Sequence, residues 1–346
     1  MIKKFILTYL LIFIFFSTNS YGENSRYFEF DKGIIALMYH RFEESKYPST
    51  NIAMNIFKEQ INIIEDLNID FLHPENLKEK ILKKNDTSKI LLTIDDGFKS
   101  FYINAWPYLK NKKIPFIIFI STNYVGKKGY MNWKEIKELE KSGLAIIGNH
   151  SDSHDYLVDQ DSNTIIKDLE KSINIFNKNL GYSPKYFSYP FGEYNENFKK
   201  ILKKYNFTLA FGQHSGAIDL TKNLFELPRY PINENYGKLD RFKFIIKTLP
   251  FQYTKILPEN KYLLKNQNPP EVKIFFFKEQ NNLKNISCYS NEGNKWQKIE
   301  TYLEKENVLK IKINKKFTTE RGRINCSLND TAGWRWLGIQ FVIAEY

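Results

Sequence analysis

Four stretches of this chain are apolar almost without interruption, and each is only four or five residues long: Ile34–Met38, Ile90–Ile94, Phe116–Ile120 and Leu144–Ile147. Runs this short and this uniformly apolar read as strands buried on both faces. Helical spacing fills the intervals between them. Ile56, Ile63, Ile64 and Leu67 share one face of a helix expected over residues 55–67, and another is expected from about Lys99 to Lys110. Asn132 with Glu135 three residues on reads as a capped helix start, and Gly143 as its stop. Further helices are expected over 163–180 and 196–205, with a short one opened by Pro74 in the first-turn position. Short strands are expected near 69–72, at 186–190 and at 208–211. Strands that alternate with helices imply an α/β fold, a parallel sheet covered on both sides. Polar, chemistry-bearing residues at the ends of those strands favour a barrel over an open sheet.

The pattern changes after about Leu257. Residues 266–270 end in Pro269-Pro270 and read as a linker. Beyond it come short strands at Val272–Phe277, Ile286–Tyr289, Val308–Ile313, Arg323–Cys326 and Leu337–Ile343, with little helical periodicity. The expected organisation is therefore a leader at 1–22, an α/β barrel at 23–258 and a small all-β domain at 266–346. Cys288 and Cys326 are the only cysteines, and neither belongs to a Cys-x-x-Cys pair. In an oxidising compartment we expect them to form one disulfide.

That compartment is suggested by the N-terminus. Lys3 and Lys4 precede a mainly apolar run from Phe5 to Phe16, and Ser20-Tyr21-Gly22 places small residues at a cleavage site. This is the pattern of a secretory signal, and the run is short for a membrane span. No later segment is apolar enough to cross a bilayer, so the mature chain is expected to be exported, periplasmic or extracellular. The formal charge of +12 is scattered rather than clustered. It suggests general attraction to anionic envelope polymers or lipid surfaces and names no nucleic-acid partner. The sequence does not fix an oligomeric state.

The strand Ile90–Ile94 runs directly into Asp95, Asp96 and Gly97. A pair of carboxylates at a buried strand end requires a metal, a cation or water nearby, and Gly97 permits a sharp exit. Of five histidines in the chain, two stand four residues apart at His150 and His154, where another buried strand ends. On a helix that spacing puts both imidazoles on one face; in a strand-end loop they can equally converge. Two imidazoles with one carboxylate from the acidic pair leave a coordination position open, as in catalytic zinc sites. Histidine ligands fit zinc better than an oxygen-only magnesium site, so zinc is the expected metal.

Thr93-Ile94-Asp95-Asp96-Gly97, His150-Ser151-Asp152-Ser153-His154 and Ser188-Tyr189-Pro190-Phe191-Gly192 together resemble the three motifs of the polysaccharide deacetylase family, the NodB-like carbohydrate esterases. The resemblance covers roughly residues 34–232. It implies a distorted (β/α) barrel and metal-dependent removal of acetyl groups, N-acetyl before O-acetyl, from an acetylated polysaccharide. It also implies Asp96, His150 and His154 as metal ligands, Asp95 as general base, and the backbone N–H of Phe191 at the oxyanion position.

Two departures from the family pattern stand out. The late histidine of a Leu-x-His motif is missing, which leaves His40 and His214 as donors to the leaving amine. Met38-Tyr39-His40 resembles the early histidine of the exported poly-N-acetylglucosamine deacetylase branch, and His40 is the expected donor. The arginine that often begins the third motif is replaced by Ser188, and Arg229 could supply that cation from another strand end. His73, before a proline at a helix start, reads as structural. Trp334-Arg335-Trp336 could stack on sugar rings, although aromatics in a strand are more often half core and half surface; Trp296 says less. Two other readings remain open on the residues: a catalytically weak carbohydrate-binding or assembly protein, and a metal-dependent phosphoesterase.

Overall fold

The computed structural model describes residues 32–344 apart from 278, 279 and 281. The leader expected over residues 1–22 lies outside the described residues. Among those described, no helix is long and apolar enough to cross a membrane.

The apolar runs form the strands they suggest: β1 (Ile34–Tyr39), β2 (Lys89–Ile94), β3 (Phe116–Ile120), β4 (Ala145–Asn149), β5 (Tyr186–Ser188), β6 (Leu209–Phe211) and β7 (Tyr230–Pro231). They pair in parallel in the order β7-β1-β2-β3-β4-β5-β6, with the short strand Asp70–Phe71 beside β2. Covering helices include α1 (Met54–Asp66), α2 (Trp106–Lys112), α3 (Trp133–Lys141), α4 (Ser162–Leu180), α5 (Glu196–Lys204) and α6 (Leu239–Ile245). α3 starts at the expected capping box: Asn132 Oδ1 accepts from Glu135 N while Glu135 Oε2 accepts from Asn132 N, each at 3.0 Å. Where one continuous helix was expected from Lys99, a π-helical turn, Phe101–Ala105, leads into α2.

The sheet is a curled (β/α) barrel whose edge strands β6 and β7 do not pair with each other. One segment bridges them. Leu224 and Leu227 exchange backbone hydrogen bonds with Ala210 and Gly212 on the β6 side, and Tyr230 and Pro231 then pair with β1. Arg229 is carried on this segment. Because the strands are parallel, every strand end that bears chemistry opens on the same rim.

The C-terminal strands make two further sheets. One orders Leu249–Pro250, β15 (Gly333–Ile343), β14 (Arg321–Asp330), β10 (Ser287–Ser290) and β11 (Gln297–Ile299). The other orders β8 (Tyr253–Leu257), β9 (Val272–Phe276), β13 (Val308–Ile311) and β12 (Thr301–Lys305). Their inner faces share an apolar core that includes Phe251, Ile274, Phe276, Ile324, Leu337 and Phe341. Strand pairing therefore places residues 249–257 with the C-terminal sheets, ahead of the position 258 expected as the barrel's end. Helical periodicity stops early there, but the sequence does not say which partner a short strand takes. Cys288 and Cys326 stand opposite each other on β10 and β14 and are joined by a disulfide, as expected.

The two units meet tightly. Gly338 N donates to Ser215 O at 2.6 Å, and a Cβ at Gly338 would lie 2.6 Å from Ser215 backbone atoms, so only glycine allows this approach. Trp336 Nε1 donates to Ser215 Oγ at 2.8 Å and its ring packs on Phe244. Arg335 is buried, ion-paired to Asp330 and bonded to Pro250 O.

Candidate metal and catalytic site

The site is assembled from four strand ends and the bridging segment. β2 ends at Asp95, which is fully buried. The chain then turns through two left-handed residues, Asp96 (φ 72°) and Gly97 (φ 74°). The sharp exit thus needs Asp96 as well as the glycine expected to provide it. At Gly97 a Cβ would meet Ile120 Cδ1 at 2.8 Å.

β4 ends at Asn149, and the loop after it carries His150 and His154, which are not on a helix. The loop is held from below and behind. Asn149 Oδ1 accepts from Ser151 N, Ser151 Oγ from His154 N, and the Asp168 carboxylate on α4 from the N–H groups of Asp152 and Ser153. Ser151 and His154 both take positive φ. The imidazoles converge with ring centroids 4.8 Å apart.

Nδ1 of His150 lies 2.6 Å from the Ser188 carbonyl. A carbonyl can only accept, so Nδ1 carries the proton and Nε2 presents a lone pair. That lone pair faces Asp96 Oδ1 at 3.3 Å, and His154 Nε2 lies 3.2 Å from the same oxygen. Asp96 Oδ1 is buried and receives no hydrogen bond. Lone pairs brought this close with no proton between them repel unless a cation sits among them. Asp96, His150 and His154 offer ligand atoms all within 4.8 Å of one another, a donor set that suits a transition metal.

Asp95 is treated quite differently from its neighbour. Arg229, fully buried, donates Nη1 to Asp95 Oδ1 at 2.7 Å and Nη2 to Oδ2 at 2.8 Å. Ser188 Oγ donates to Oδ2 at 3.2 Å and accepts from Arg229 Nη2 at 2.9 Å. Arg229 also donates to Gly212 O and Thr93 Oγ1. The serine at the third motif and the arginine from the bridging segment thus meet on the same carboxylate. Burial alone would raise the Asp95 pKa; the Arg229 guanidinium outweighs it and holds the carboxyl below its ordinary range. Asp95 is thus held in place, ionised, and lies outside the Asp96, His150 and His154 cluster.

Phe191 sits at the rim with φ 58° and ψ 4°, a strained conformation for a bulky residue. Its ring packs on His154 at 4.8 Å and on Tyr156 at 5.7 Å. His40, just past β1, lines the same cleft as Asp96, His150 and His154. Burial lowers its pKa while the carboxylates of Asp96 and Asp95 pull it upward. His214 reaches the cleft from the other side and is pushed down to about 3 by burial and then by Lys261 and Lys222. His73 is structural as expected: it accepts from Glu75 N, and its Nε2 lies 2.9 Å from Gly143 O.

The tryptophans divide between packing and the cleft. Trp334 and Trp336 both pack on Phe244 of α6, with Trp334 nearly half exposed and Trp336 also lining the cleft, and Trp296 is half exposed on the cleft wall. Asp168 carries no sequence signal that marks it as a brace for the histidine loop.

Residues 82–210 match a family model described as polysaccharide deacetylase. A Staphylococcus aureus (strain MRSA252) protein named poly-beta-1,6-N-acetyl-D-glucosamine N-deacetylase is 29% identical over 245 residues, covering 63% of this chain and 83% of its own. A Staphylococcus epidermidis protein of the same name is 24% identical over 257 residues, covering 65% of this chain and 86% of its own. Among solved structures, IcaB from Ammonifex degensii superposes with a TM-score of 0.57 at 24% identity, over 63% of this chain and 98% of its own. The Streptococcus pyogenes deacetylase PplD in complex with acetate gives 0.56 at 22%, over 61% and 99%. At these identities the structural likeness speaks to the fold.

Proposed function

From the premise that this chain carries a polysaccharide deacetylase domain, we propose that it is a metal-dependent hydrolase that removes N-acetyl groups from an exported polysaccharide. The observation that carries this reading is the division of labour between two adjacent carboxylates. Asp96 shares a tight cluster with two imidazoles, while Asp95 is clamped by Arg229 and left free of that cluster. The N-terminal leader pattern supports an exported substrate, and the names of the staphylococcal relatives support an N-acetylated glycan.

A divalent ion, zinc by the chemistry of its donors, would be held by Asp96, His150 and His154 and would supply Lewis acidity toward water and the acetyl carbonyl. Asp95 takes the proton of the attacking water as the new C–O bond forms. Arg229 and Ser188 keep that carboxylate ionised and aimed. The Phe191 N–H meets the charge that builds on the carbonyl oxygen. Protonated His40 donates to the amide nitrogen as the C–N bond breaks, releasing acetate and a free amine on the glycan.

The test is acetate release from β-1,6-linked N-acetylglucosamine oligomers by the full chain, with and without a chelator, beside Asp95→Asn. Release that is lost with chelator, restored by zinc and absent in the variant is expected. Chelator-insensitive release, or an Asp95→Asn variant as active as the parent, would overturn the reading.

A further inference from the structure

The catalytic cleft has a second wall that the barrel does not build. Its volume is about 720 Å³, room for a ligand larger than one sugar. Along β14 the side chains alternate. Ile324, Cys326 and Leu328 enter the core, while Arg321, Arg323 and Asn325 stand on the opposite face, which lines the cleft. Gln340 of β15 pairs with Arg323 in register and accepts from its Nε at 3.3 Å. Trp296 joins the same wall with half its surface exposed.

The charges in this cleft do not balance. Among the described residues Asp96 is the one carboxylate that lines it, against Arg241, Arg321 and Arg323. Arg321 is neutralised by Glu193 and Glu320. Arg323 and Arg241 have no carboxylate within ion-pairing distance among the described residues. Arg241 donates to the carbonyls of Pro231 and Tyr236 and lies 5.3 Å from the Tyr236 ring centroid. Half-buried guanidinium groups without an acid are poised for a planar oxyanion, which they can take through two parallel hydrogen bonds.

Resting on the deacetylase reading above, we propose that the C-terminal sheet forms a second sugar subsite beside the metal cluster, where Trp296 stacks on a glycan ring and Arg323, with Arg241, takes that unit's anionic group. The chemistry shared by the possible ligands is an oxyanion on a sugar, a carboxylate or a phosphate. The substrate is then an acidic N-acetylated polysaccharide rather than a neutral one. Stacking on an indole orients the ring, and the arginines read its charge.

The test uses the full chain carrying Asp95→Asn, so that binding is read without turnover. Three oligomers of equal length serve as probes: neutral β-1,6-linked N-acetylglucosamine, alternating N-acetylglucosamine and glucuronate, and phosphate-bridged N-acetylhexosamine. One or both acidic oligomers should bind about 10-fold or more tighter than the neutral one, as a charged hydrogen bond allows, and the advantage should shrink with salt. Which acidic oligomer wins separates carboxylate from phosphate. Adding Arg323→Gln should collapse the preference, with Arg323→Lys restoring part of it. Trp296→Ala, at an exposed position just before β11, should weaken every oligomer and guards against misfolding of the arginine variants. Equal affinity for neutral and acidic oligomers, or equal weakening of both by Arg323→Gln, would sink the proposal. Acidic preference without acetate release by the parent chain would remove the deacetylase reading and keep the subsite. Release without preference would do the opposite.

Discussion

The barrel rim and the C-terminal hairpin obey local rules to very different degrees. At the rim, Asp96, Ser151, His154 and Phe191 all take positive φ, and an oxygen of Asp96 is buried without a donor. Across β14 and β15, ten residue pairs run in one unbroken register from Arg321 to Asp330, and no non-glycine residue has positive φ. Each left-handed bulky residue costs about 1–3 kcal/mol, and a lone buried acceptor costs a similar amount. The rim tolerates such terms because strands behind it are buried on both faces. The difference teaches that the barrel spends stability to aim groups, whereas the hairpin follows the period of two and supplies a wall. Rim substitutions should therefore remove chemistry, and hairpin substitutions should remove stability.

The largest effect expected tests the rim directly. A purified sample should hold about one transition metal per chain, as this type of site does. His150→Ala with His154→Ala should abolish both metal content and acetate release while the far-UV spectrum stays that of the parent. Stoichiometric metal in the double variant would show that the ligands lie elsewhere. Next comes His40→Ala, which should keep its metal and lose amide deacetylation by about 10²–10⁴, the usual contribution of a general acid. An activated ester, whose leaving group needs little protonation, should suffer far less. Equal losses on both substrates would assign His40 a structural role.

Arg229 is where the contrast should blur, because it serves both the site and the core. Replacing it with Met leaves the Asp95 carboxylate buried with the Ser188 hydroxyl alone of its three hydrogen bonds. The loss should be about 3–5 kcal/mol of stability, read by urea unfolding, together with the activity. A variant that unfolds like the parent would mean that Asp95 stays charged by other means. The hairpin gives the mirror image. Cys288→Ser with Cys326→Ser should lower stability by about 2–4 kcal/mol and leave metal content as in the parent. A matching fall in metal content would tie the two regions more closely than the strand pairing indicates.

How much of this was legible depended on whether the signal was local. Ile90–Ile94, Phe116–Ile120 and the strands around Cys288 and Cys326 were legible because burial writes itself into composition and period. Asp95-Asp96 and His150/His154 were legible because chemistry concentrated there at short spacing. Arg229 could be named only as a candidate. Its partner is 134 residues away, and the contact exists because the segment from Leu224 to Pro231 crosses from β6 to β1. Asp168 looked like any polar position on a helix. Trp296 and Trp336 both line the cleft, which the sequence could not single out because only the docking of the sheet on the barrel decides which tryptophan meets it. The pairing of residues 249–257 was illegible for the same reason: they are ordinary strand sequence, and their partners, from Lys273 to Trp336, lie well downstream.

The smallest effect at neutral pH belongs to His214, which sits where the two regions join. Its ring is partly buried beside Tyr194, near Lys222, Lys261 and Arg229, with Glu226 contributing a backbone hydrogen bond. Burial comes first, and the lysines add to it, so the folded pKa falls to about 3 from the model-peptide value of 6.5. The unfolded chain binds this proton as pH drops through 6.5, whereas the folded chain does not until about 3. Between those values the unfolded state holds more protons, so folding stability must fall as the solution is acidified, and nothing is lost at pH 7. His40 is shifted in the same direction and adds to the slope, so the comparison must be between variant and parent. His214→Gln should unfold like the parent at pH 7.5 and lose less stability than the parent between pH 6.5 and 4.5. It should also retain acetate release, because a histidine held neutral over this range has no proton to give a leaving amine. If His214→Gln loses amide deacetylation while keeping the activated ester, and His40→Ala does not, the donor is His214 and the two roles must be exchanged.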